Sequence, residues 1–428
     1  MHYIIDTLNK NGYEAYFVGG CVRDKLLNRN INDYDICTSA APQEIINIFK
    51  NHKINMVGAK YGTIIVDNYE ITTFRIDNKY INNRKPKDVT FTNNLIEDLK
   101  RRDFTINAMC WNGKLIDPLN GKKDLDNYII RCVGDPNLRF KEDALRILRA
   151  IRFSCQLSFN IEEETFKALI DNINLLNNIS YERKRDELNK ILLSERIDIF
   201  FDKYDWILYK ILIPEFYDCL GFNQNNIYHI YDVYKHIIQT TMEAKLLNND
   251  LILILAALLH DIGKPKCYIE ENGIGHFYGH AKISAEMAEN ILKRYKYDNN
   301  TIKNVLELIL YHDITFEPTK KFVKKWLNKI GEGQFKKLIL LRIADIKAQN
   351  PSFIPERLNN LYKINDILNQ ILNEEQCFTL KNLAINGYDL INLGYKGKEI
   401  GKILNNLLNK VINDEIPNNK EKLLEEIK

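Results

Sequence analysis

The sequence predicts an α+β protein, in which a mixed head of strands and helices is followed by an all-α body. Three observations predict this. Short β-type runs are confined to the first 130 or so residues, where YFVGG (16–20), DYDICT (33–38), TIIVD (63–67) and YEITTFRI (69–76) are separated by Gly-containing turns. From about Asp135 the strand signals stop, and EDALRILRAIRF sets Leu145, Leu148 and Ile151 on one apolar stripe with Arg146, Arg149 and Arg152 beside it. Helix-period stretches then recur at 181–193, 225–247, 249–262, 281–296, 301–312, 335–350, 356–372 and 396–412. Asn-rich turns near 173–178, 223–226 and 298–300 are the natural joints, and no internal repeat or long linker interrupts the pattern.

At 428 residues the chain is too long for one ordinary core. A composition of 45% hydrophobic and 27% charged residues is that of a globular protein in water, and the net charge of +3 gives no global signal for nucleic acid. An RNA-binding surface must therefore come from local clusters of Lys and Arg. The eight cysteines (Cys21, Cys37, Cys110, Cys132, Cys155, Cys219, Cys267, Cys377) form no CxxC pair, so neither a zinc knuckle nor a disulfide framework is expected. They read as small buried hydrophobes in a reducing compartment. The N-terminal MHYIIDTLNKNGYEAYF lacks the apolar core of a signal peptide. The apolar run Leu251–Leu259 is about half of what a membrane span needs. A cytoplasmic protein is expected, with no membrane and no evident protein partner.

The strongest chemical signal is GGCVRDKLL followed by NDYDICT. Asp33 and Asp35, one residue apart on an expected strand, would project from the same face. Two convergent carboxylates suit Mg²⁺, a hard cation that takes oxygen ligands and leaves positions for substrate phosphates. Gly19 and Gly20, just after an apolar strand, let backbone N–H groups approach phosphate oxygens closely, and Arg23 would bring a fork-shaped cation to the same place. An isolated DxD is common in surface turns. Its weight here comes from the GG-x-x-RD turn upstream and from RRDFTIN (101–107) downstream.

With these residues in this order, the sequence resembles the class II tRNA nucleotidyltransferase and bacterial poly(A) polymerase superfamily. The resemblance covers roughly residues 10–200 and rests on GGCVRDKLL, DYD, EITTFR, RKPKDVTF, RRDFTINAM, IDPLNG and RFKEDALRILRAIRF. It implies a Pol β-like head, a helical neck, and a helical body and tail that hold tRNA. It makes Asp33 and Asp35 the metal-binding catalytic carboxylates, with Glu70 of YEITTFR as a candidate third. It assigns the triphosphate to Gly19, Gly20 and Arg23. Arg102, Asp103 and Asn107 would contact the nucleotide, Asp103 being suited to accept from a ribose 2′-OH.

The resemblance also makes EDALR the reader of the incoming base. On one helix Glu142 and Arg146 are four apart and Asp143 and Arg146 three apart, so all three share a face. Cytosine and adenine each present an amino donor beside a ring-nitrogen acceptor. Asp143 can accept from the amino group while Arg146 donates to the ring nitrogen, with Glu142 orienting Arg146 and Arg149 following on the same helix. Uracil and guanine present the reverse pattern and would leave buried polar groups unpaired, at roughly 1–3 kcal/mol each. The segment IDNKYINNRKPKDVTF (76–91) corresponds to the family's flexible loop, which supports the switch from C to A addition; its presence argues for full CCA addition over a CC-only or A-only enzyme.

A second constellation lies in the body. His236, His260-Asp261, His280, His312 and Asp345 follow the order H…HD…H…H…D, and LLHDIGKPKC with GHAKISA resembles the HD phosphohydrolases. Imidazoles and carboxylates in this set suit a divalent transition metal or Mg²⁺. His276 is either a further ligand or no part of the site. His2, His52 and His229 read as ordinary core or surface histidines. Lys184 and Arg185 in YERKRDELNK, and Lys396, Lys398 and Lys402 near the C-terminus, are candidate RNA-phosphate contacts, although solvated helix faces look the same in sequence.

The expected division is therefore 1–134 nucleotidyltransferase head, 135–220 neck, 221–350 HD domain and 351–428 tRNA-binding tail. The expected activity is template-independent addition of C, C and A to the tRNA 3′ end from CTP and ATP. Mg²⁺ serves the head and a divalent metal the HD site, with an HD phosphohydrolase activity alongside. Two alternatives share these motifs: a poly(A) polymerase, and an HD phosphohydrolase whose head only docks RNA.

Overall fold

The computed structural model describes residues 3–31, 33–78, 80–81, 83 and 85–427. His2 and, within the 76–91 segment, Lys79, Asn82 and Arg84 lie outside the described residues. The chain forms two compact units, Met1–Pro214 and Glu215–Lys428.

In the first unit the β-type runs assemble into one mixed seven-stranded sheet. Its order is Lys114–Ile116, Cys110–Asn112, Ala15–Val18, Asp35–Thr38, Tyr69–Thr73, Thr63–Val66, Ile54–Asn55. The central pair, Asp35–Thr38 and Tyr69–Thr73, is parallel; the other neighbours are antiparallel. Alternation along Asp35–Thr38 sends Ile36 into one core, with Ile4, Leu8, Phe49 and Ile71, and Cys37 into the other, with Val18, Phe74 and Leu99. The sheet is thus covered on both faces, which is why these runs are apolar at successive positions.

The expected strands are shortened where the site lies. The 33–38 strand begins at Asp35, and the 69–76 run breaks at buried Phe74 before Arg75–Asp77 pairs with Val89–Phe91 outside the main sheet. Strand pairing also continues past Asp135, against expectation. Ile129–Ile130 pairs with Asn160–Ile161, and the second unit carries the hairpin Ile269–Glu271/Ile274–His276, so the body is not purely helical. Both are two- or three-residue strands, too short to show a period.

The second unit is otherwise helical. Its helices include Val233–Leu247, Leu251–Leu259, His280–Arg294, Asn299–Tyr311, Lys320–Lys347 (bent at Gly331, φ 78°), Ile354–Asn373 and Lys398–Ile412. The first starts at Val233 because the Asp232 carboxylate caps it, accepting from Lys235 N–H at 2.8 Å; residues 225–232 are not helical. The apolar run Leu251–Leu259 is core, buried from Leu253 onward. Among the described residues no helix is long and apolar enough to cross a membrane. All eight cysteines are unpaired, seven of them buried.

Candidate functional site

Asp35 opens its strand and stands in register with Glu70 on the parallel neighbour, which sets the two carboxylates side by side. Asp33 precedes the strand and is exposed, so strand alternation does not align the two aspartates as the sequence suggested. Asp33 nevertheless stays within electrostatic reach. Burial pushes the Asp35 carboxyl up and Asp33 adds to this, with Arg102 opposing; burial and Asp35 likewise push Glu70 up. Two neighbouring carboxylates whose charged forms are disfavoured by burial and by nearby acidic groups suit a bound cation. Among the described residues, however, the groups of three or more ligand atoms within 4.8 Å of one another lie in the second unit.

Gly19 adopts φ 80°, ψ −134°, a conformation only glycine takes readily. A Cβ there would sit 3.4 Å from Arg102 Nη1 and 3.8 Å from Asp35 Oδ2, so chain, cation and carboxylate converge at this point. Gly20 begins the helix Gly20–Leu26. Arg23 is buried; its fork is spent on both Asp24 oxygens (2.9 Å each) and its Nη1 on Asn107 Oδ1 (2.8 Å). Arg102 is held by Asp98 at 3.2 Å.

Asp103 has a different occupation from the one its motif suggested. Its Oδ1 accepts from Phe104 N–H and Asn107 Nδ2, and its Oδ2 from Arg149 Nε (2.8 Å) and Nη2 (2.5 Å). Against the cost of burial, Arg149 holds this carboxyl down at about 2. A carboxylate offers about four acceptor positions, and all are filled. In this arrangement the carboxylate is bonded to Phe104 N–H, Asn107 and Arg149, so a ribose hydroxyl would have to replace one of these partners.

EDALR does not lie on one helix. Pro136–Glu142 ends at Glu142, Asp143 is extended (φ −134°, ψ 102°), and a second helix runs Leu145–Leu157. The break is stabilised locally. Asp143 Oδ1 accepts from Leu145 N–H at 3.1 Å, and Ala144 N–H donates to the Asn83 carbonyl at 2.9 Å. Glu142 still reaches Arg146, at 2.7 Å, as expected, and Arg139 joins it at 2.8 Å. Buried Arg146 also donates to the carbonyls of Arg139 (3.1 Å) and Arg101 (2.9 Å). The partner of Asp143 is Arg183, which donates to Oδ1 at 3.2 Å and Oδ2 at 2.8 Å. Sequence reasoning missed this arginine while selecting its neighbours Lys184 and Arg185.

Lys184 is a correction. It is buried, with its ammonium 4.1 Å from the Tyr181 ring centre, because Lys184, Leu188 and Ile191 share the inward face of Tyr181–Leu192. It is not available to RNA phosphates. Arg185 pairs with Asp186 at 2.8 Å. Lys396, Lys398 and Lys402 are exposed, as a phosphate-binding role requires.

In the second unit the structure brings all six HD residues together. His236 Nε2 lies 3.1 Å from Asp345 Oδ1 and 3.3 Å from Asp261 Oδ2. His260 Nε2 is 3.2 Å from Asp261 Oδ2, and His280 and His312 Nε2 are 3.3 and 3.5 Å from Asp261 Oδ1. Each Nδ1 is turned outward to a backbone carbonyl: Ala348 (3.2 Å), Ala257 (2.8 Å), Phe277 (2.8 Å) and Ile309 (2.7 Å) for His236, His260, His280 and His312. A carbonyl can only accept, so each Nδ1 carries a hydrogen and each Nε2 faces the centre, those of His280 and His312 within hydrogen-bond distance of one another at 3.3 Å. His236 Nε2, His260 Nε2 and Asp261 Oδ1 are buried without a hydrogen-bond partner. Despite burial, His260 and Lys264 hold Asp261 well below the carboxylate range. Ionised oxygens and orphaned imidazole nitrogens facing one point are the donor set of a divalent cation.

This cluster opens on a cavity of about 1070 Å³. His229 lines it, against its reading as an ordinary histidine: its ring is 4.9 Å from that of His236 and its buried Nδ1 has no partner. Burial, then the Lys264 cation, pushes its pKa down to about 2. His276 stacks on Tyr278 on the cavity wall, with centroids 5.3 Å apart, and is outside the ligand cluster. Lys264 contacts Asp261 Oδ2 at 2.6 Å and Arg342 contacts Asp345 Oδ2 at 2.7 Å; neither was singled out in the sequence.

The head of the chain is of the poly(A) polymerase type. The family model for the poly A polymerase head domain matches residues 15–131, one for tRNA nucleotidyltransferase domain 2 matches 269–427, and one for an RNA- and SrmB-binding site of polymerase A matches 158–219. A CCA-adding enzyme of Bacillus pumilus is 34% identical over 432 residues, covering 99% of this chain and 94% of that relative. The chain belongs to the CCA-adding enzymes. A CCA-adding enzyme of Lactobacillus helveticus is 52% identical over 194 residues, 44% of this chain, and the chain spans about half (48%) of that relative. The crystal structure of the Bacillus stearothermophilus CCA-adding enzyme in complex with CTP superposes with a TM-score of 0.68 at 28% identity, covering 99% of this chain and 96% of that one. Membership of this family implies a divalent metal at the nucleotidyltransferase site.

Proposed function

We propose that this chain adds C, C and A to the 3′ end of tRNA from CTP and ATP, in the cytoplasm. Four regions would divide the work: head 1–134, neck 135–220, HD domain 221–350 and tail 351–428. The observation that carries the reading is the parallel register of Asp35 and Glu70 beside Gly19 and Arg102, in the same unit as the paired base-facing residues. The tRNA 3′-hydroxyl gives its proton to solvent as its oxygen bonds to the α-phosphorus of the nucleotide, the bond from that phosphorus to the α–β bridging oxygen breaks and pyrophosphate leaves. Mg²⁺ held by Asp33 and Asp35, with Glu70 beside them, would supply positive charge to the reacting phosphate oxygens. Gly19 and Gly20 keep side chains out of the phosphates' way, and Arg102 brings its guanidinium to the same point.

Base choice follows from what the paired residues have left to offer. After its bonds to Arg183 and Leu145, Asp143 Oδ2 retains acceptor capacity. After its bonds to Glu142 and two carbonyls, Arg146 retains donor hydrogens. An acceptor beside a donor matches the amino and ring-nitrogen edge of cytosine and adenine and opposes that of uracil and guanine. The exposed Lys396, Lys398 and Lys402 would grip tRNA phosphates. The full-length likeness to CCA-adding enzymes favours this activity over poly(A) synthesis.

A second reading concerns the other unit, where the orphaned Nε2 atoms of His236 and His260 favour metal-dependent hydrolysis of a phosphate ester. A water oxygen bonds to phosphorus, the ester P–O bond breaks, and the departing alcohol takes the proton. A divalent cation held by His236, His260, Asp261, His280, His312 and Asp345 would supply the charge that water and phosphoryl oxygens need.

The test of the main reading uses tRNA transcripts ending before CCA, at C and at CC, with CTP and ATP given singly and together. Addition of C, C and A followed by arrest, abolished in Asp35→Ala, is the expected result. Long A tails on unrelated RNA would refute it.

A further inference from the structure

The cavity over the histidine–aspartate cluster carries a cation that forms no ion pair with a carboxylate among the described residues. Lys264 answers to Asp261, and Arg342 to Asp345 and, at 3.5 Å, Asp313. Arg357, on the wall formed by Ile354–Asn373, has no carboxylate partner among the described residues. Its Nη1 donates to the side-chain carbonyl of Gln349, and its guanidinium lies 5.4 Å from the ring centre of Tyr228. Burial and the like charge of Arg342 act against it and push its pKa down, with Asp345 and Asp313 opposing without direct contact. Gln349 in turn donates to Asp345 Oδ1 at 2.9 Å, so a continuous chain of contacts joins Arg357 to the cluster.

A half-buried guanidinium whose direct hydrogen-bond and ring contacts are neutral, facing a second arginine, costs free energy that a bound anion would offset. The surroundings say which anion. The ring of Tyr228 lies against the guanidinium and packs on that of Phe353, 4.9 Å away, giving the cavity an apolar side, and Arg342 adds a second fork to its lining. Two planar forks suit a tetrahedral oxyanion, and the aromatic faces suit the organic group attached to it.

We propose that Arg357 is the phosphate-binding residue of the second unit's cavity, which takes a phosphate ester with its phosphoryl group set between Arg357 and the histidine–aspartate cluster. The substrate class rests on the phosphohydrolase reading above. The binding role of Arg357 is tested separately from it.

The probe is inorganic phosphate, titrated calorimetrically into the intact chain with and without Mn²⁺. Wild type is compared with Arg357→Met, Arg357→Lys and His260→Ala, and bound Mn²⁺ is measured by elemental analysis. Arg357→Met should bind phosphate at least ten-fold more weakly while keeping wild-type Mn²⁺ stoichiometry and thermal midpoint; Arg357→Lys should fall between. His260→Ala should lose the Mn²⁺ of the second unit and keep that held by the head. Equal phosphate affinity in Arg357→Met and wild type would overturn the proposal, as would a wild type that holds Mn²⁺ and binds no phosphate. A wild type that binds no Mn²⁺ would overturn the metal reading instead, and the metal-free titrations would still decide the role of Arg357.

Discussion

Arg183→Met should weaken the choice of nucleotide more than it weakens the fold. Arg183 contacts Asp143 through two nitrogens at 2.8 and 3.2 Å, with the two side chains 26% and 18% exposed. Removing the guanidinium leaves the Asp143 carboxylate tied only by Leu145 N–H, free to turn away from an incoming base. The stability lost is that of a partly solvated ion pair, about 1 kcal/mol. Losing the positioned acceptor costs about 1–3 kcal/mol in the bound state, since the base's amino group then loses its partner. That corresponds to roughly 5- to 150-fold in kcat/KM for CTP and ATP alike, with a narrower margin over UTP. Arg183→Lys keeps the charge but not the two-pronged geometry and should recover only part. The assay is single-nucleotide addition to tRNA lacking CCA and to tRNA ending in CC, with UTP as competitor. A CTP-to-UTP ratio within about two-fold of wild type in Arg183→Met would refute the reasoning.

Three further outcomes are expected. The Asp103 carboxyl sits at about 2 in the fold against its ordinary 3.8, so its contribution is present above the unfolded value and is lost as pH falls from about 4 toward 2. Asp103→Asn should flatten that loss, worth about 2 kcal/mol at most, in urea melts across this window. Gly19→Ala must hold φ 80° with a Cβ 3.4 Å from Arg102 Nη1, so nucleotide addition should fall at least ten-fold, with a stability cost of about 1–3 kcal/mol in thermal melts. Replacing Lys396, Lys398 and Lys402 together with Ala should weaken tRNA binding and reduce its salt slope by about two to three. Lys184→Ala should lower the thermal midpoint and leave that slope alone.

The HD cluster was legible because its residues are of ligand type and its order is restrictive. Six such residues spread over about 110 positions have little reason to follow H…HD…H…H…D unless they meet, and they do meet. The sheet was legible for the same kind of reason: apolar runs between Gly turns admit few alternatives. The partners of the chosen residues were not legible. Arg183 joins Asp143 across 40 positions and Arg149 joins Asp103 across 46, and no periodicity links residues so far apart. His229 looked like an isolated histidine because its significance lies in an unpartnered nitrogen, which is a property of packing. Lys184 was misread because charge was weighed before period, although its spacing to Leu188 and Ile191 marks an inward face.

The break at Asp143 is the most instructive case. A continuous helix and a broken one both bring Glu142 to Arg146, so the ion pair at 2.7 Å fits the spacing argument without testing its premise. What separates the two is Asp143. On a continuous helix its carboxylate would share a face with Arg146, and the two opposite charges would neutralise each other at the point we propose reads the base. Extended backbone at Asp143 instead hands each residue its own partner, Arg183 for the carboxylate and Glu142 for the guanidinium. Acceptor and donor are then fixed independently, each with capacity to spare, which is what recognition of an amino group beside a ring nitrogen requires.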